Sequence, residues 1–255
     1  MPLVRPPRFP LYILDLDGTV YRGEEPIPGV PEAIGRLRDG GARIRFVTNN
    51  SSMTRWAIAV KLRRMGIDAV PEDCYGTAHV VAMLAAERGW RKVFMIGETG
   101  LQETLRTKVS DVQLNAADNP DAVVVGICRK LTYEWLNQGL QGLLSGAEFV
   151  ATNRDATFPI EGGRVAPGAG AIVAALEAAS GRPPVVLGKP EPTLIQLVLR
   201  DANLSPGEAL IVGDRMDTDI LAAARAGCPG YLVLSGVTQT APENQGYGMT
   251  VADLL

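Results

Sequence analysis

The sequence predicts an α/β protein with a doubly wound, mostly parallel sheet and a second α/β unit inserted into it. Short apolar runs of strand length alternate with longer segments of helical period, which is the pattern of a parallel sheet covered by helices. Glycines follow four of the predicted helices, where a left-handed residue is common. The 255 residues are 46% hydrophobic and 21% charged, so the chain can form one large domain or two modest ones.

The predicted strands are rich in branched aliphatic or aromatic residues and are bounded by turn formers. They span residues 11–17, 42–48, 93–97, 122–128, 148–152, 184–187, 209–213 and 231–234. The predicted helices span residues 31–39, 54–65, 132–144, 169–180 and 218–226. This order alternates strands with helices along most of the chain.

Residues 78–182 contain their own set of strand and helix signals, and about 100 residues suffice for a compact unit. Beyond them, the pattern of the first segment resumes. We therefore predict one domain from residues 1–77 and 183–255, with residues 78–182 as an insertion.

Composition excludes several kinds of partner and location. With 25 Lys and Arg against 28 Asp and Glu, the net charge of −3 argues against nucleic-acid binding. Apolar runs fall far short of the ~18 residues of a membrane helix, so no membrane partner is expected. The proline-rich first ten residues contain no apolar signal segment, which favours the cytoplasm. Cys74, Cys128 and Cys228 are widely spaced and are expected to be reduced structural thiols.

Common catalytic signatures are missing. A single histidine, His79, excludes zinc sites with two or three histidines, and no G-x-S-x-G elbow occurs. No cysteine begins a Cys-x5-Arg phosphate loop. The glycine spacings fit neither an ATP-binding nor a dinucleotide-binding loop.

Two aspartates end the first predicted strand. Asp15 and Asp17 are two residues apart, so in a strand they share a face. Anions at the end of a buried strand are costly unless a partner offsets their charge, and Mg²⁺ prefers such oxygen ligands. Turn-forming aspartates before Gly18 are the alternative at this point.

A second acidic cluster follows the predicted strand 209–213. Because parallel strands end at one edge of a sheet, Asp214 and Asp219 are expected to meet Asp15 and Asp17 there. Asp217 or Thr218 is expected to cap the following helix.

Phosphate-binding groups are predicted at two further strand ends. Thr48 is the last residue of the predicted strand 42–48, and Asn49 and Asn50 follow it. These residues supply hydrogen-bond donors of the kind that hold phosphoryl oxygens. Lys189 follows the strand 184–187 and supplies a cation. Taken singly, these residues would be an ordinary loop and a solvated lysine.

Together these motifs resemble those of the haloacid dehalogenase superfamily. The matches are D-x-D-G-T at 15–19, T-N-N at 48–50, Lys189, and G-D-x4-D at 213–219. The variants are most similar to the NagD or p-nitrophenylphosphatase-like branch. In that branch a cap is inserted between the second and third motifs of a Rossmann-like core, and residues 78–182 occupy that place.

The resemblance implies a Mg²⁺-dependent phosphatase acting on a small phosphomonoester. Asp15 would be the nucleophile that becomes an aspartyl-phosphate, and Asp17 the general acid and base. Asp15, the backbone carbonyl of Asp17, and Asp214 would bind Mg²⁺, with Asp219 a direct or water-mediated ligand. Thr48 and Lys189 would bind the phosphoryl oxygens.

Substrate choice is expected to belong to the cap. Asn153, Arg154 and Asp155 follow a predicted strand there and are expected to contact the leaving group, with an exposed turn as the alternative. Hinges are expected near Gly76 and residues 182–184, and a homodimer through the cap is expected. The natural ester stays open among phosphoglycolate, a sugar phosphate, a nucleoside monophosphate and pyridoxal phosphate.

Two other functions are compatible with parts of the pattern. A phosphotransferase or mutase of the same superfamily would share these motifs. A receiver-like phospho-acceptor domain also uses acidic residues, Thr and Lys on such a sheet. It would be about half this length and would lack an acid two positions after the nucleophile.

Overall fold

The computed structural model describes residues 9–115, 118–160, 164–243 and 245–255, and these form two compact units. The core unit comprises the chain up to Thr48, Arg55–Tyr75 and Lys189–Leu255. The inserted unit comprises Asn49–Thr54 and Gly76–Gly188. Strands and helices are numbered below along the whole chain.

The core unit is built on a six-stranded sheet with the order β15-β14-β13-β1-β4-β5. Its strands are β1 (Leu11–Asp15), β4 (Arg43–Thr48), β5 (Cys74–Gly76), β13 (Ala209–Gly213), β14 (Gly230–Val233) and β15 (Tyr247–Gly248). β1 pairs in parallel with both β13 and β4. All five residues of β1 are buried, as expected of a central strand covered on both faces.

The helices of the core unit are α1 (Val30–Asp39), α2 (Arg55–Arg64), α7 (Thr193–Ala202) and α8 (Leu221–Ala226). A short antiparallel hairpin, β2 (Tyr21–Arg22) and β3 (Glu25–Pro26), follows the end of β1. Single helical turns span Pro71–Asp73, Pro206–Glu208 and Val251–Leu254, and a wider turn, Met216–Ile220, leads into α8.

The inserted unit has its own five-stranded sheet, in the order β12-β9-β8-β6-β7. The strands are β6 (Lys92–Ile96), β7 (Gln113–Leu114), β8 (Ala122–Val125), β9 (Glu148–Ala151) and β12 (Val185–Val186), and all neighbours pair in parallel. Its helices are α3 (Thr77–Arg88), α4 (Thr99–Lys108), α5 (Tyr133–Leu144) and α6 (Ala169–Ser180). An antiparallel hairpin joins β10 (Thr157–Ile160) to β11 (Arg164–Pro167).

The predicted fold class is confirmed, since both large sheets are mostly parallel α/β sheets. The segment Asn49–Thr54 and the chain from Gly76 to Gly188 form the inserted unit, whereas the sequence predicts an insertion of residues 78–182 alone. The backbone of Asn49–Thr54 explains the grouping of that segment: Gly100 N–H donates to Ser52 O at 3.2 Å, and Thr77 Oγ1 donates to Asn49 O at 3.0 Å. Such contacts between distant segments leave no periodic signal in the sequence.

Several elements were not predicted. The hairpins β2–β3 and β10–β11 are too short for their alternation to stand out. Helix α7 begins just after a proline-rich turn, and its short apolar run, interrupted by Gln196, does not by itself distinguish a helix from a strand.

The three cysteines are free and buried, as expected. None of the helices in the described ranges combines the length and apolar character that a membrane crossing requires.

Replacing Leu11 by Ala tests the central position of β1. Leu11 is fully buried, so the substitution should lower the free energy of unfolding by about 2–5 kcal/mol through lost burial and a residual cavity. Leu221→Ala, on α8 of the same unit, is the control because Leu221 is 38% exposed and should change stability by about 0.5 kcal/mol or less. Urea unfolding of the two variants provides the measurement, and equal losses would contradict the assignment of β1 to the core.

Candidate active site

Three carboxylates gather where β1 and β13 end. Because these strands pair in parallel with Leu14 opposite Val212, Asp15 and Asp214 emerge at the same edge. One side-chain oxygen of each of Asp15, Asp214 and Asp219 lies within 4.8 Å of the others. Asp214 and Asp219 are each only 1% exposed, and Asp15 is 9% exposed. Three of the four residues predicted to surround a metal therefore converge.

Lys189 lies among these carboxylates. Its Nζ donates to Oδ1 of Asp15 and to Oδ1 of Asp219, each at 2.5 Å, and the residue is 3% exposed. Burial by itself disfavours the charged amine, but the two carboxylates outweigh it and raise the pKa of Lys189 above its usual value. The lysine is thus a buried cation held by acidic partners.

With its three carboxyl groups ionised, the cluster carries more negative than positive charge. Three carboxylates face one ammonium, and burial raises the pKa of Asp15 well above its usual range, with Lys189 opposing and Asp219 and Asp214 adding to the shift. Burial, followed by repulsion from Asp219, likewise raises the pKa of Asp214 to about 6. Oxygen donors with this surplus of negative charge are the ligand set that Mg²⁺ prefers, so the residues fit such an ion.

A close approach of the backbone fixes Asp219. A Cβ on Gly213 would lie 2.3 Å from Cβ of Asp219, a distance that no side chain tolerates. The Oδ2 atom of Asp219 accepts a hydrogen bond from the N–H of Arg215 at 3.1 Å. Glycine at the end of β13 therefore lets the carboxylate return towards the strand that precedes it.

Asp17 is solvent-accessible and is not one of the three clustered acids. Reduced hydration raises the pKa of Asp17, while Lys61 lowers it. Lys61, on α2, also contacts the β2–β3 hairpin: its Nζ lies 3.0 Å from Oε1 of Glu24 and 4.3 Å from the ring centre of Tyr21. Sequence reasoning missed Lys61, because a lysine near the end of a helix carries no signal of its own.

Thr48 ends β4 beside β1, where Val47 lies opposite Asp15. The residue is 7% exposed and belongs to the core unit, like the acidic cluster and Lys189. Strand pairing thus places Thr48 at the same edge as Asp15.

Asn49 and Asn50, which we predicted to bind phosphate with Thr48, belong to the inserted unit. Asn49 O accepts hydrogen bonds from Thr77 Oγ1 at 3.0 Å and from Asn153 Nδ2 at 2.8 Å. Asn50 Oδ1 accepts from the N–H and Oγ of Ser52 at 2.8 and 2.7 Å. These contacts shape the loop, and phosphate binding by the two asparagines stays a prediction.

The three residues predicted to contact a leaving group form local contacts within the inserted unit. Asp155 Oδ2 accepts from Asn49 Nδ2 at 3.0 Å, and the N–H of Asp155 donates to Asn153 Oδ1 at 3.0 Å. Arg154 forms an ion pair with Glu177. Their contact with substrate likewise stays a prediction.

The expectation that Asp217 or Thr218 caps a helix is wrong. The helical segment begins earlier, at Met216, and no side chain caps it. Asp217 instead accepts two hydrogen bonds from the Arg215 guanidinium, at 3.1 and 2.8 Å, which lowers the pKa of Asp217. The wide turn Met216–Ile220 shifts the start of the helix and brings Asp219, rather than Asp217, inward.

Comparison with known proteins places the chain in a family. A family model described as haloacid dehalogenase-like hydrolase matches residues 12–108, and a second, described as HAD-hydrolase-like, matches residues 186–254. The chain is 37% identical to the 5'-nucleotidase YutF of Bacillus subtilis over 89% of its own length and 88% of that protein.

Solved structures agree with these matches. The p-nitrophenyl phosphatase from Archaeoglobus fulgidus is 32% identical with a TM-score of 0.91, and the match covers 97% of this chain and 98% of that one. The glycerol phosphate phosphatase Rv1692 from Mycobacterium tuberculosis, solved in complex with magnesium, is 33% identical with a TM-score of 0.86 over 97% of this chain and 76% of that one. The chain therefore belongs to the haloacid dehalogenase-like hydrolase family, within its NagD and p-nitrophenylphosphatase-like branch of phosphatases.

Proposed function

We propose that this enzyme hydrolyses a small phosphomonoester in a Mg²⁺-dependent reaction through an aspartyl-phosphate on Asp15. The observation that carries the proposal is the buried cluster of Asp15, Asp214 and Asp219 around Lys189, at the edge where β1 and β13 end. The magnesium complex of Rv1692 supports the choice of ion.

Asp15, Asp214, Asp219 and the backbone carbonyl of Asp17 are the groups that would hold the ion. When bound, Mg²⁺ supplies positive charge that offsets the repulsion between these carboxylates and the phosphate. Lys189 is already charged in the cluster, so it can turn one of its N–H donors from a carboxylate to a phosphoryl oxygen. Thr48 provides a hydroxyl at the same edge.

In the first step an oxygen of Asp15 attacks the phosphorus atom, and the bond from phosphorus to the alkoxide breaks. Asp17 gives its proton to the departing alkoxide, which leaves as an alcohol. Asp17 then takes a proton from a water molecule, whose oxygen attacks the aspartyl-phosphate. Inorganic phosphate leaves, and Asp15 is a carboxylate again.

The substrate is proposed only as a class. The relatives named above include a 5'-nucleotidase and a glycerol phosphate phosphatase, so branch membership does not select one ester. We propose that the inserted unit acts as the cap that makes this selection, with Asn153, Arg154 and Asp155 as its first candidates for contact with the leaving group. Assays over a panel of phosphorylated metabolites test this point.

Transfer of the phosphoryl group to another hydroxyl, as in a mutase, is the second candidate because it would use the same residues. Water as the acceptor is favoured by the phosphatase names of the relatives. The presence of Asp17 argues against a receiver-like phospho-acceptor domain, because an acid two positions after the nucleophile favours rapid hydrolysis of the aspartyl-phosphate.

We also propose that the enzyme acts in the cytoplasm and forms a homodimer through the inserted unit. Light scattering at several protein concentrations would test the homodimer.

Asp15→Asn tests the nucleophile. The amide cannot form the aspartyl-phosphate, so phosphate release from p-nitrophenyl phosphate with Mg²⁺ should fall by at least about 10³-fold. Asp217→Asn is the matched control, because Asp217 lies on the same segment as Asp219 but has a side chain that is 70% exposed. It should keep activity near that of the parent enzyme. Turnover by Asp15→Asn at the rate of the control would remove the mechanism.

Asp214→Asn tests the metal site without reference to turnover. Loss of one buried anionic ligand should weaken Mn²⁺ binding, measured by calorimetry, by more than about 10-fold, the loss typical of even an outer partner of a metal site. Asp217→Asn is again the control and should bind Mn²⁺ like the parent. Equal affinity in the Asp214 variant and the parent would show that the ion binds elsewhere.

A further inference from the structure

A short loop that no sequence motif indicated lies against the acidic cluster. Residues 235–238, here called the 235–238 loop, follow β14 in the core unit. The N–H of Val237 donates to Oδ2 of Asp214 at 2.6 Å, and the N–H of Thr238 donates to Asp214 O at 3.2 Å. The loop therefore binds both the side chain and the backbone of one proposed metal ligand.

The 235–238 loop lies so close to Asp214 that no side chain fits between the loop backbone and the carboxylate. A Cβ on Gly236 would lie 1.9 Å from Oδ2 of Asp214. The loop backbone thus closes directly over the carboxylate, and one oxygen of Asp214 is committed to the Val237 N–H. That hydrogen bond fixes the rotation of the carboxylate and therefore the direction of its other oxygen.

The same loop is tied to the segment that carries Asp17. Ser235 is 5% exposed, and its Oγ donates to Gly18 O at 2.7 Å. Ser235 O in turn accepts from the guanidinium of Arg22, on β2, with the Nε bond at 2.8 Å. Ser235 therefore joins the loop that orients Asp214 to the turn between Asp17 and the β2–β3 hairpin.

We propose that Ser235 is a positioning residue of this enzyme, which holds the 235–238 loop so that Asp214 and the turn after Asp17 keep the spacing needed by one bound divalent ion. The inference rests on the proposed function, since it concerns the metal site assigned there. Ser235 acts only through Asp214 and Gly18. Its role is to keep the site organised before the ion binds, which strengthens metal binding without adding a ligand.

Ser235→Ala is the direct test, with Mn²⁺ binding measured by calorimetry in the absence of substrate. The expected result is an affinity about 10-fold weaker than that of the parent, the size of change typical when a partner behind a metal ligand is lost. Ser145→Ala is the matched control: Ser145 Oγ also donates to a backbone carbonyl, Gly142 O at 2.8 Å, but lies in the inserted unit at the end of α5. Its Mn²⁺ affinity should equal that of the parent.

Arg22→Gln gives a second reading if Ser235→Ala does not fold. Arg22 is exposed, and the substitution removes its hydrogen bonds to Ser235 O, so the variant should fold. Its Mn²⁺ affinity should be lower than that of the parent, as expected for Ser235→Ala. Affinity within twofold of the parent in Ser235→Ala, or in Arg22→Gln where the former is unfolded, would overturn the inference. Failure of the parent itself to bind Mn²⁺ would overturn the proposed function, and this inference with it.

Discussion

The site depends on a buried surplus of negative charge at the carboxyl ends of β1 and β13. Carboxylates so poorly hydrated are unstable as a group unless a cation lies among them. In the core unit that cation is Lys189, which donates to both Asp15 and Asp219. One ammonium does not neutralise three carboxylates, and burial, together with repulsion between the carboxylates, raises the pKa values of Asp15 and Asp214. A bound divalent ion would offset the remaining negative charge, and its positive charge would then attract the phosphate group of the substrate.

The fold supplies this arrangement by strand pairing rather than by local sequence. Asp15 and Asp214 are about two hundred residues apart along the chain, yet the parallel register of β1 with β13 brings their strand ends together. Two glycines then let the backbone approach these acids closely. Gly213 allows Asp219 to fold back on β13, and Gly236 allows the 235–238 loop to cover Asp214.

Much of this could be predicted from the sequence. The strand ends carrying Asp15, Thr48 and Asp214 were identified because apolar strand runs give a strong signal and because parallel sheets gather ligands at one edge. The family followed from the joint spacing of four motifs, none of which is specific alone. Lys189 was predicted as a cation because it follows the predicted strand 184–187, but that strand is β12 of the inserted sheet, so its contacts with Asp15 and Asp219 did not follow from the core sheet.

The predictions that were wrong or missed concern contacts that leave no periodic pattern in the sequence. The capping expected of Asp217 was wrong because a wide turn at Met216–Ile220 starts the helical segment two residues before the predicted position. The grouping of Asn49–Thr54 with the inserted unit, and the contacts of Lys61 and Ser235, depend on partners far away in the sequence. A single sequence does not encode such pairs in any local pattern.

The account is tested most directly by locating a divalent ion in the molecule. Anomalous diffraction from crystals grown with Mn²⁺ should show a peak bound directly by Asp15 and Asp214, with the Lys189 ammonium turned away from at least one of its two carboxylates. A clear peak elsewhere, or none at all, with Lys189 still bridging Asp15 and Asp219, would contradict the central claim that this cluster is a metal site.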